Sequence, residues 1–301
     1  MIELSNGRHF EYCCASGALG FIGDSKYLGY WWEQPLHAMG FIEPQNLVLI
    51  TKTLTFEPRV GNLKWWCPWR CVRPLGGGNF VNAVGLTNPG YRWWISNCYS
   101  QCMAKSYSVI VSIAPQTIDE AMQMAIILDE CRGLVGIEVN VSCPNVEHDS
   151  GVEHICKLVR AVTAWTSLPV IVKLNYLDPY PEICEELDDG SIDAFDLINT
   201  VKFSHVYPGR KSPLAKYGLE GGVSGPAIRP YARLALKTVK EMDIRTPIIT
   251  GGGLDYQEMR ERDGLADAFA FGTIFLRRPW QPRQYPGRHM RAKYREMNQH
   301  G

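Results

Sequence analysis

The sequence predicts an α/β fold, a (β/α)8 TIM barrel with an N-terminal hairpin and an aromatic-rich insertion over one end. Three observations predict it. Eight short β-rich runs are spaced along the chain, stretches of helical periodicity separate several of them, and no low-complexity tract, repeat or Gly/Ser linker marks a boundary. Such alternation argues for parallel βαβ units. The 301 residues are read as one domain, 1–301, because barrels of about 250 residues run as single units. An open eight-stranded sheet is the alternative architecture.

The first strand is expected at Phe10–Ala15, after a small hairpin around Asn6-Gly7, a dipeptide suited to a tight turn. The others are Leu47–Lys52, Val109–Ile113, Gly136–Val141, Val170–Leu174, Phe195–Asn199, Pro247–Thr250 and Ala268–Gly272. A helix is expected over Thr117–Cys131, where Thr117 and Glu120 form a capping box and Ala121, Met124, Ala125 and Leu128 share a face. Val152–Trp165 repeats the pattern with Ile155, Leu158, Val159 and Val162. Pro226–Met242 carries Pro230 early and then Leu234, Leu236 and Val239. The longest stretch outside the pattern, Thr53–Ser108, holds Trp65, Trp66, Trp69, Trp93 and Trp94. It is too aromatic for disorder and is expected to fold over one barrel end.

Net formal charge is zero, so no global field draws the molecule to nucleic acid or to an anionic membrane. The start MIELSNGRHFEY lacks the charged-then-apolar pattern of a secretory signal, and no apolar run reaches transmembrane length. A cytoplasmic protein is the expectation, with its ten cysteines mostly reduced. Cys67/Cys71 and Cys98/Cys102 share a spacing, but it is wider than the common metal knuckle, and no metal is assigned.

Active sites of parallel barrels lie at the C-terminal strand ends. Here those ends carry Ala15-Ser16-Gly17, Thr51-Lys52-Thr53, Asn140 with Cys143, Lys173 with Asn175, Asn199-Thr200, Gly251-Gly252-Gly253 and Gly272-Thr273. Any one of these is equally well a rim residue; polar groups at nearly every end are not explained by chance. The glycines after strands seven and eight match a barrel phosphate site, where backbone N–H groups approach an anion. Gly221–Gly225, just before Pro226, is a candidate third contact. Lys52 and Lys173 are expected to point inward. With Glu138 as the one acidic residue noted nearby, an anionic ligand is their expected partner. Cys143 sits between Asn140 and Asn145, next to Pro144. A lone cysteine is most often structural, but at a strand end between amides its thiolate can serve as a base. The following loop through Asp149-Ser150-Gly151 is a candidate lid. His148 is read as a solvated loop residue before it is read as a thiolate partner.

These segments resemble the dihydroorotate dehydrogenases. The resemblance runs in unbroken order over about residues 10–278. It is carried by Ala15–Gly17, Thr51–Asn62, Asn82–Gly90, the hexapeptide Asn140–Asn145 and Gly221–Pro226. It implies FMN as cofactor and oxidation of dihydroorotate to orotate in pyrimidine synthesis. Cys143 would remove the C5 proton while hydride passes from C6 to the flavin. Substrate contacts would be Lys52, Asn82, Val84, Gly85, Leu86, Asn140, Asn145, Asn199 and Thr200. Cofactor contacts would be Ala15, Ser16, Gly17, Lys52, Thr53, Asn140, Lys173, Ile198, Gly225, Gly252, Gly253, Gly272 and Thr273. A cysteine base without an N-terminal extension resembles class 1. Glu57-Pro58-Arg59 and Asn88-Pro89-Gly90 are closer to the NAD-linked subclass 1B, whose second subunit carries FAD and an iron–sulfur cluster. A homodimer of the catalytic chain is the further expectation.

Departures from the family pattern are the Trp65–Cys71 insert, Ser112 in place of asparagine, Pro115 in place of glycine, and a basic tail Arg277–Gly301 unlike a closing helix. A flavoenzyme acting on uracil-type dihydropyrimidines and a non-catalytic nucleotide-binding barrel are the rival readings.

Overall fold

Eight short strands, buried along almost their whole length, run parallel and close on themselves. In the computed structural model, which describes residues 1–22, 39, 47–64, 66–141 and 151–300, they are Tyr12–Cys14, Val48–Ile50, Val109–Ile113, Gly136–Asn140, Val170–Leu174, Ala194–Leu197, Ile248–Thr250 and Ala268–Phe271. Their order around the barrel is their order in the chain, and the eighth pairs with the first through Phe271 and Cys14. All eight fall within the expected runs except that the sixth begins one residue early; the others end at or inside the expected limits.

Side chains alternate across each strand, and two apolar cores result. Cys13, Ile50, Ile110, Ile171, Ala194, Ile249, Ala268 and Ala270 fill the barrel interior, with Ile2, Leu4 and Phe10 of the N-terminal hairpin against them. Val109, Val111, Ile137, Val139, Val170 and Val172 face outward to the helices. That hairpin pairs Ile2–Glu3 with His9–Phe10 across the Asn6-Gly7 turn. Hence the residue two beyond each inward apolar position also points inward, nearer the C-terminal end. This parity selects Ala15, Lys52, Ser112, Lys173, Asp196, Gly251 and Gly272, and Asn140 lies in the same way two residues beyond Glu138, which faces Ser112 and Lys173.

The three expected helices form within their expected runs. Thr117 accepts the Glu120 N–H at 3.1 Å and caps Ile118–Asp129, while Glu120 reaches back to the Gln116 N–H at 2.7 Å. Val152–Thr163 buries Ile155, Leu158, Val159 and Val162. The third expected helix opens as a 3-10 turn, Pro226–Ile228, and continues as Arg229–Glu241 with Pro230 in its first turn.

The tryptophan-rich excursion does fold over the C-terminal end of the barrel. Its hairpin, Val72–Gly76 with Asn79–Asn82, joins Gly222–Ser224 and then Val201–Lys202 in a four-stranded antiparallel sheet. The expected glycine contact Gly221–Gly225 is therefore largely a strand of this cap.

The tail corrects the sequence reading. Residues Tyr285–His300 form a helix. Buried Tyr285 packs edge-on against Phe271, and buried His289 sits between the Tyr12 hydroxyl and Asp263, each at 2.7 Å. Lys293 reaches Glu11 at 3.0 Å. Spaced aromatic and basic groups with partners on the barrel make this segment a docked helix, despite its proline and its net charge. Among the described residues, no helix is long and apolar enough to cross a membrane.

Candidate active site

At the C-terminal ends of the strands lies a cavity of about 440 Å³, within the usual range for small-ligand sites. Its floor is the upper inward layer of the barrel, Ala15, Lys52, Asn140, Lys173, Asp196, Gly251 and Gly272, with Ala270 of the layer beneath. Its roof comes from the excursion through Leu63, Pro68, Val72, Phe80, Asn82, Val84, Gly85 and Leu86, and from Ser224. Ser16, Gly17, Thr53, Ile198, Asn199, Thr200, Gly252, Gly253 and Thr273 complete the wall.

One half of the floor is a continuous polar network. The Ser16 and Thr53 hydroxyls meet at 2.9 Å, and Thr53 meets Ser112 at 2.9 Å. Asn140 Nδ2 donates to Thr53 Oγ1 at 2.9 Å, and Asn199 Nδ2 donates to Asn140 Oδ1 at 3.2 Å. Ser112 donates to Glu138 at 2.6 Å, and Glu138 lies 3.4 Å from the Lys173 ammonium. Asp196 pairs with the same ammonium from the neighbouring strand. Burial alone would depress Lys173, but the Asp196 and Glu138 carboxylates outweigh it and hold its pKa above the usual lysine value. Burial, helped by the nearby Asp196 charge, pushes Glu138 up to about 7 against the opposing pull of Lys173. Asp196 keeps a buried oxygen, Oδ1, with no hydrogen-bond partner among the described residues.

This network corrects one expectation. Lys173 does not require an anionic ligand as its partner, because Asp196 and Glu138 already supply two carboxylates. Asp196 is inconspicuous in the sequence because the sixth strand reads Ala194-Phe195-Asp196-Leu197, an apolar run in which one acid looks incidental. Inward parity with Ala194 was the signal that would have found it. Parity also explains Ser112, noted only as a departure from the family pattern: it points inward two residues beyond Ile110.

The other half of the cavity is built from backbone. Gly252 and Gly253 adopt φ of 77° and 75°, and a Cβ on Gly253 would lie 2.4 Å from the Gly225 carbonyl oxygen. No side chain fits there, so the chain presents bare peptide groups to the cavity. Gly225 does not line the cavity; it backs Gly253. The short helix Ile274–Arg277 follows Thr273. A bare glycine cradle at one side and hydroxyls, amides and a lysine at the other suit an elongated ligand with an anionic group at one end and a polar ring at the other. Successive backbone N–H groups in such a turn make an anion-binding concavity.

Of the expected site residues, all but three line this cavity. Gly225 stands behind it, and Cys143 and Asn145 lie outside the described residues, as do Pro144, His148 and the loop to Ser150. Among the described residues, Cys67, Cys71, Cys98 and Cys102 form no disulfide.

The comparisons with known proteins agree with this architecture. Residues 40–258 match the family model described as dihydroorotate dehydrogenase. The chain belongs to the dihydroorotate dehydrogenase family. Among its relatives is the dihydroorotate dehydrogenase B (NAD(+)) catalytic subunit of Desulforudis audaxviator, 36% identical over 277 residues, covering 88% of this chain and 82% of the relative. The subunit of the same name from Listeria monocytogenes serotype 4b is 31% identical, covering 88% and 84%. A ferulenol complex of the Eimeria tenella dihydroorotate dehydrogenase superposes with a TM-score of 0.63 at 15% identity, covering 78% of this chain and 72% of that one. Its ligand-free form also gives 0.63, at 16% identity and coverages of 79% and 75%. At that identity the solved structures support the barrel fold alone. Family membership makes the chain an oxidoreductase.

Proposed function

We propose that this chain is the catalytic subunit of a class 1B dihydroorotate dehydrogenase, oxidising dihydroorotate to orotate for pyrimidine synthesis with FMN bound in the cavity. The observation that carries the reading is the convergence in one cavity of Lys52, Asn82, Asn140 and Asn199 with a glycine cradle on the opposite side. Residues 1–301 would act as one FMN-binding unit, working as a homodimer with a second subunit that carries FAD and an iron–sulfur cluster and passes electrons to NAD.

Gly252, Gly253, Gly272 and Thr273 would hold the phosphate, and Ala15, Ser16, Gly17, Thr53 and Ile198 the ring. Bound FMN supplies a hydride acceptor. Lys173, held between Asp196 and Glu138, would place an ammonium donor at the polar end of the floor. Asn140, held by Thr53 and Asn199, is pre-oriented toward the cavity and needs little reorganisation to hydrogen-bond a planar polar substrate. Lys52, with Asn82, Asn199 and Thr200, would hold the substrate carboxylate and ring amides, while Asn175 fixes Thr200 by donating to its carbonyl at 2.7 Å. Cys143, with Asn145 beside it, would take the C5 proton on its sulfur. Its free pKa of about 8.5 requires a stabilised thiolate for this at neutral pH.

Orotate formation tests the reading. The FMN-loaded protein is given dihydroorotate or dihydrouracil with an artificial electron acceptor. Orotate from the first and no turnover of the second is expected. Turnover of dihydrouracil alone would move the assignment to the uracil-type enzymes.

A further inference from the structure

The glycine cradle is held from behind by two arginines. Arg262, 1% exposed, donates from Nη1 to the Gly251 carbonyl at 2.5 Å and to Thr250 Oγ1 at 2.9 Å, and from Nη2 to the Gly252 carbonyl at 3.1 Å. Arg229 donates from Nε to the Gly253 carbonyl at 2.9 Å. Three consecutive carbonyls thus face guanidinium groups. In a trans peptide the N–H points opposite to the C=O of the same unit. The N–H groups of Gly252, Gly253 and Leu254 therefore point away from the arginines. Among the described residues, no protein acceptor takes up any of the three.

Both arginines are fixed by one short segment. Glu258, 1% exposed, receives Arg262 Nε at 2.9 Å and Nη2 at 2.8 Å. It is held in turn by Arg233 through contacts of 2.7 and 2.6 Å. Asp255, the N-cap of Tyr256–Glu261, takes Arg229 Nη2 at 2.6 Å. A buried ion pair is weak evidence of stabilisation, because apolar residues of similar volume often do as well. A planar fork that reaches two carbonyls and a hydroxyl at once is something only arginine provides.

We propose that Arg262 and Arg229 are positioning residues for the cofactor's phosphate: they hold the Gly251, Gly252 and Gly253 carbonyls outward, so that the following N–H groups form the anion-binding face of the cavity. The inference rests on the FMN reading above and adds a role for residues that do not touch the ligand. It predicts an effect confined to the phosphate end, because on the cavity side the two arginines donate to Thr250 and to the Gly251, Gly252 and Gly253 carbonyls.

The test compares FMN with riboflavin, which differs only in lacking the phosphate, as ligands of the cofactor-free protein. Titration by flavin fluorescence is done on the wild type, Arg262→Lys and Arg229→Met. Arg262→Lys keeps the charge but loses the fork. Arg229→Met changes a partly exposed residue and serves if the buried variant does not fold. The expected result is a loss of about tenfold or more in FMN affinity, the equivalent of one hydrogen bond to a charged group, with riboflavin affinity unchanged. Equal loss for both ligands, or unchanged FMN affinity in a folded variant, would overturn the clamp while leaving the cofactor reading intact. A wild-type chain that binds neither flavin would overturn the cofactor reading and the clamp with it.

Discussion

Asp196 and Lys173 face each other as register partners on the sixth and fifth barrel strands, and their side chains form a buried ion pair at the cavity floor. Glu138 approaches the same ammonium at 3.4 Å. Two carboxylates around one lysine in a nearly dry site make each member depend on the others. The arrangement sets stability, protonation and the charge offered to a ligand together.

Removing the lysine should therefore cost more than its packing. Lys173→Met leaves two buried carboxylates facing each other without a cation. A loss of about 3–5 kcal/mol is expected in urea unfolding, typical of breaking a buried pair from one side. Lys173→Met with Asp196→Asn should recover part of it. A single variant within about 0.5 kcal/mol of wild type, the usual range for an exposed substitution, would show that the pair is not coupled as described.

Glu138 should make stability fall with rising pH. Its pKa is about 7 in the folded chain against an ordinary 4.5. Between these values the folded state keeps a proton that the unfolded state has released, so stability declines as pH rises through the window. It is fully present below about 4.5 and lost above about 7. Glu138→Gln should flatten this part of the unfolding profile relative to wild type. A profile of unchanged slope between those pH values would contradict the assignment.

Two glycines of the cradle should respond differently to alanine. At Gly253 the positive φ and the Gly225 carbonyl 2.4 Å from an added Cβ leave no room, so Gly253→Ala is expected to cost on the order of 1–3 kcal/mol and to weaken FMN binding. At Gly272 an added Cβ would make an ordinary 3.5 Å contact with Ala15. Gly272→Ala should leave stability within about 0.5 kcal/mol. Thermal unfolding of the two proteins without ligand, followed by FMN titration, checks both statements.

Cys143→Ala is expected to retain the flavin and to lose about 10²–10⁴ in turnover, the usual share of a general base. Steady-state orotate formation at neutral pH reads the loss. Unchanged turnover would remove Cys143 from the base role.

Much of this was legible in the sequence because barrel strands are short, apolar and punctuated. The three expected helices were legible from their apolar periodicity, with a capping box at Thr117 and Glu120 for the first. The glycine loop was visible as Gly251-Gly252-Gly253, since a run of glycine has few purposes at a strand end. The residues behind it were not. Arg262 sits in Met259-Arg260-Glu261-Arg262-Asp263, which reads as an ordinary charged helix end; only tertiary packing turns that one arginine inward. Asp196 was hidden in an apolar strand for a related reason: its partner Lys173 lies on another strand, and cross-strand register is not written locally. The tail's net charge and proline are conspicuous in the sequence, whereas the buried Tyr285 and His289 decide its docking.

A flavin in this cavity should take electrons from dihydroorotate. Dihydroorotate is added to the FMN-loaded protein without oxygen, and the visible absorbance is followed. The yellow colour should bleach as orotate appears in equal amount. A protein that holds FMN and keeps its colour under these conditions is not a dihydroorotate dehydrogenase.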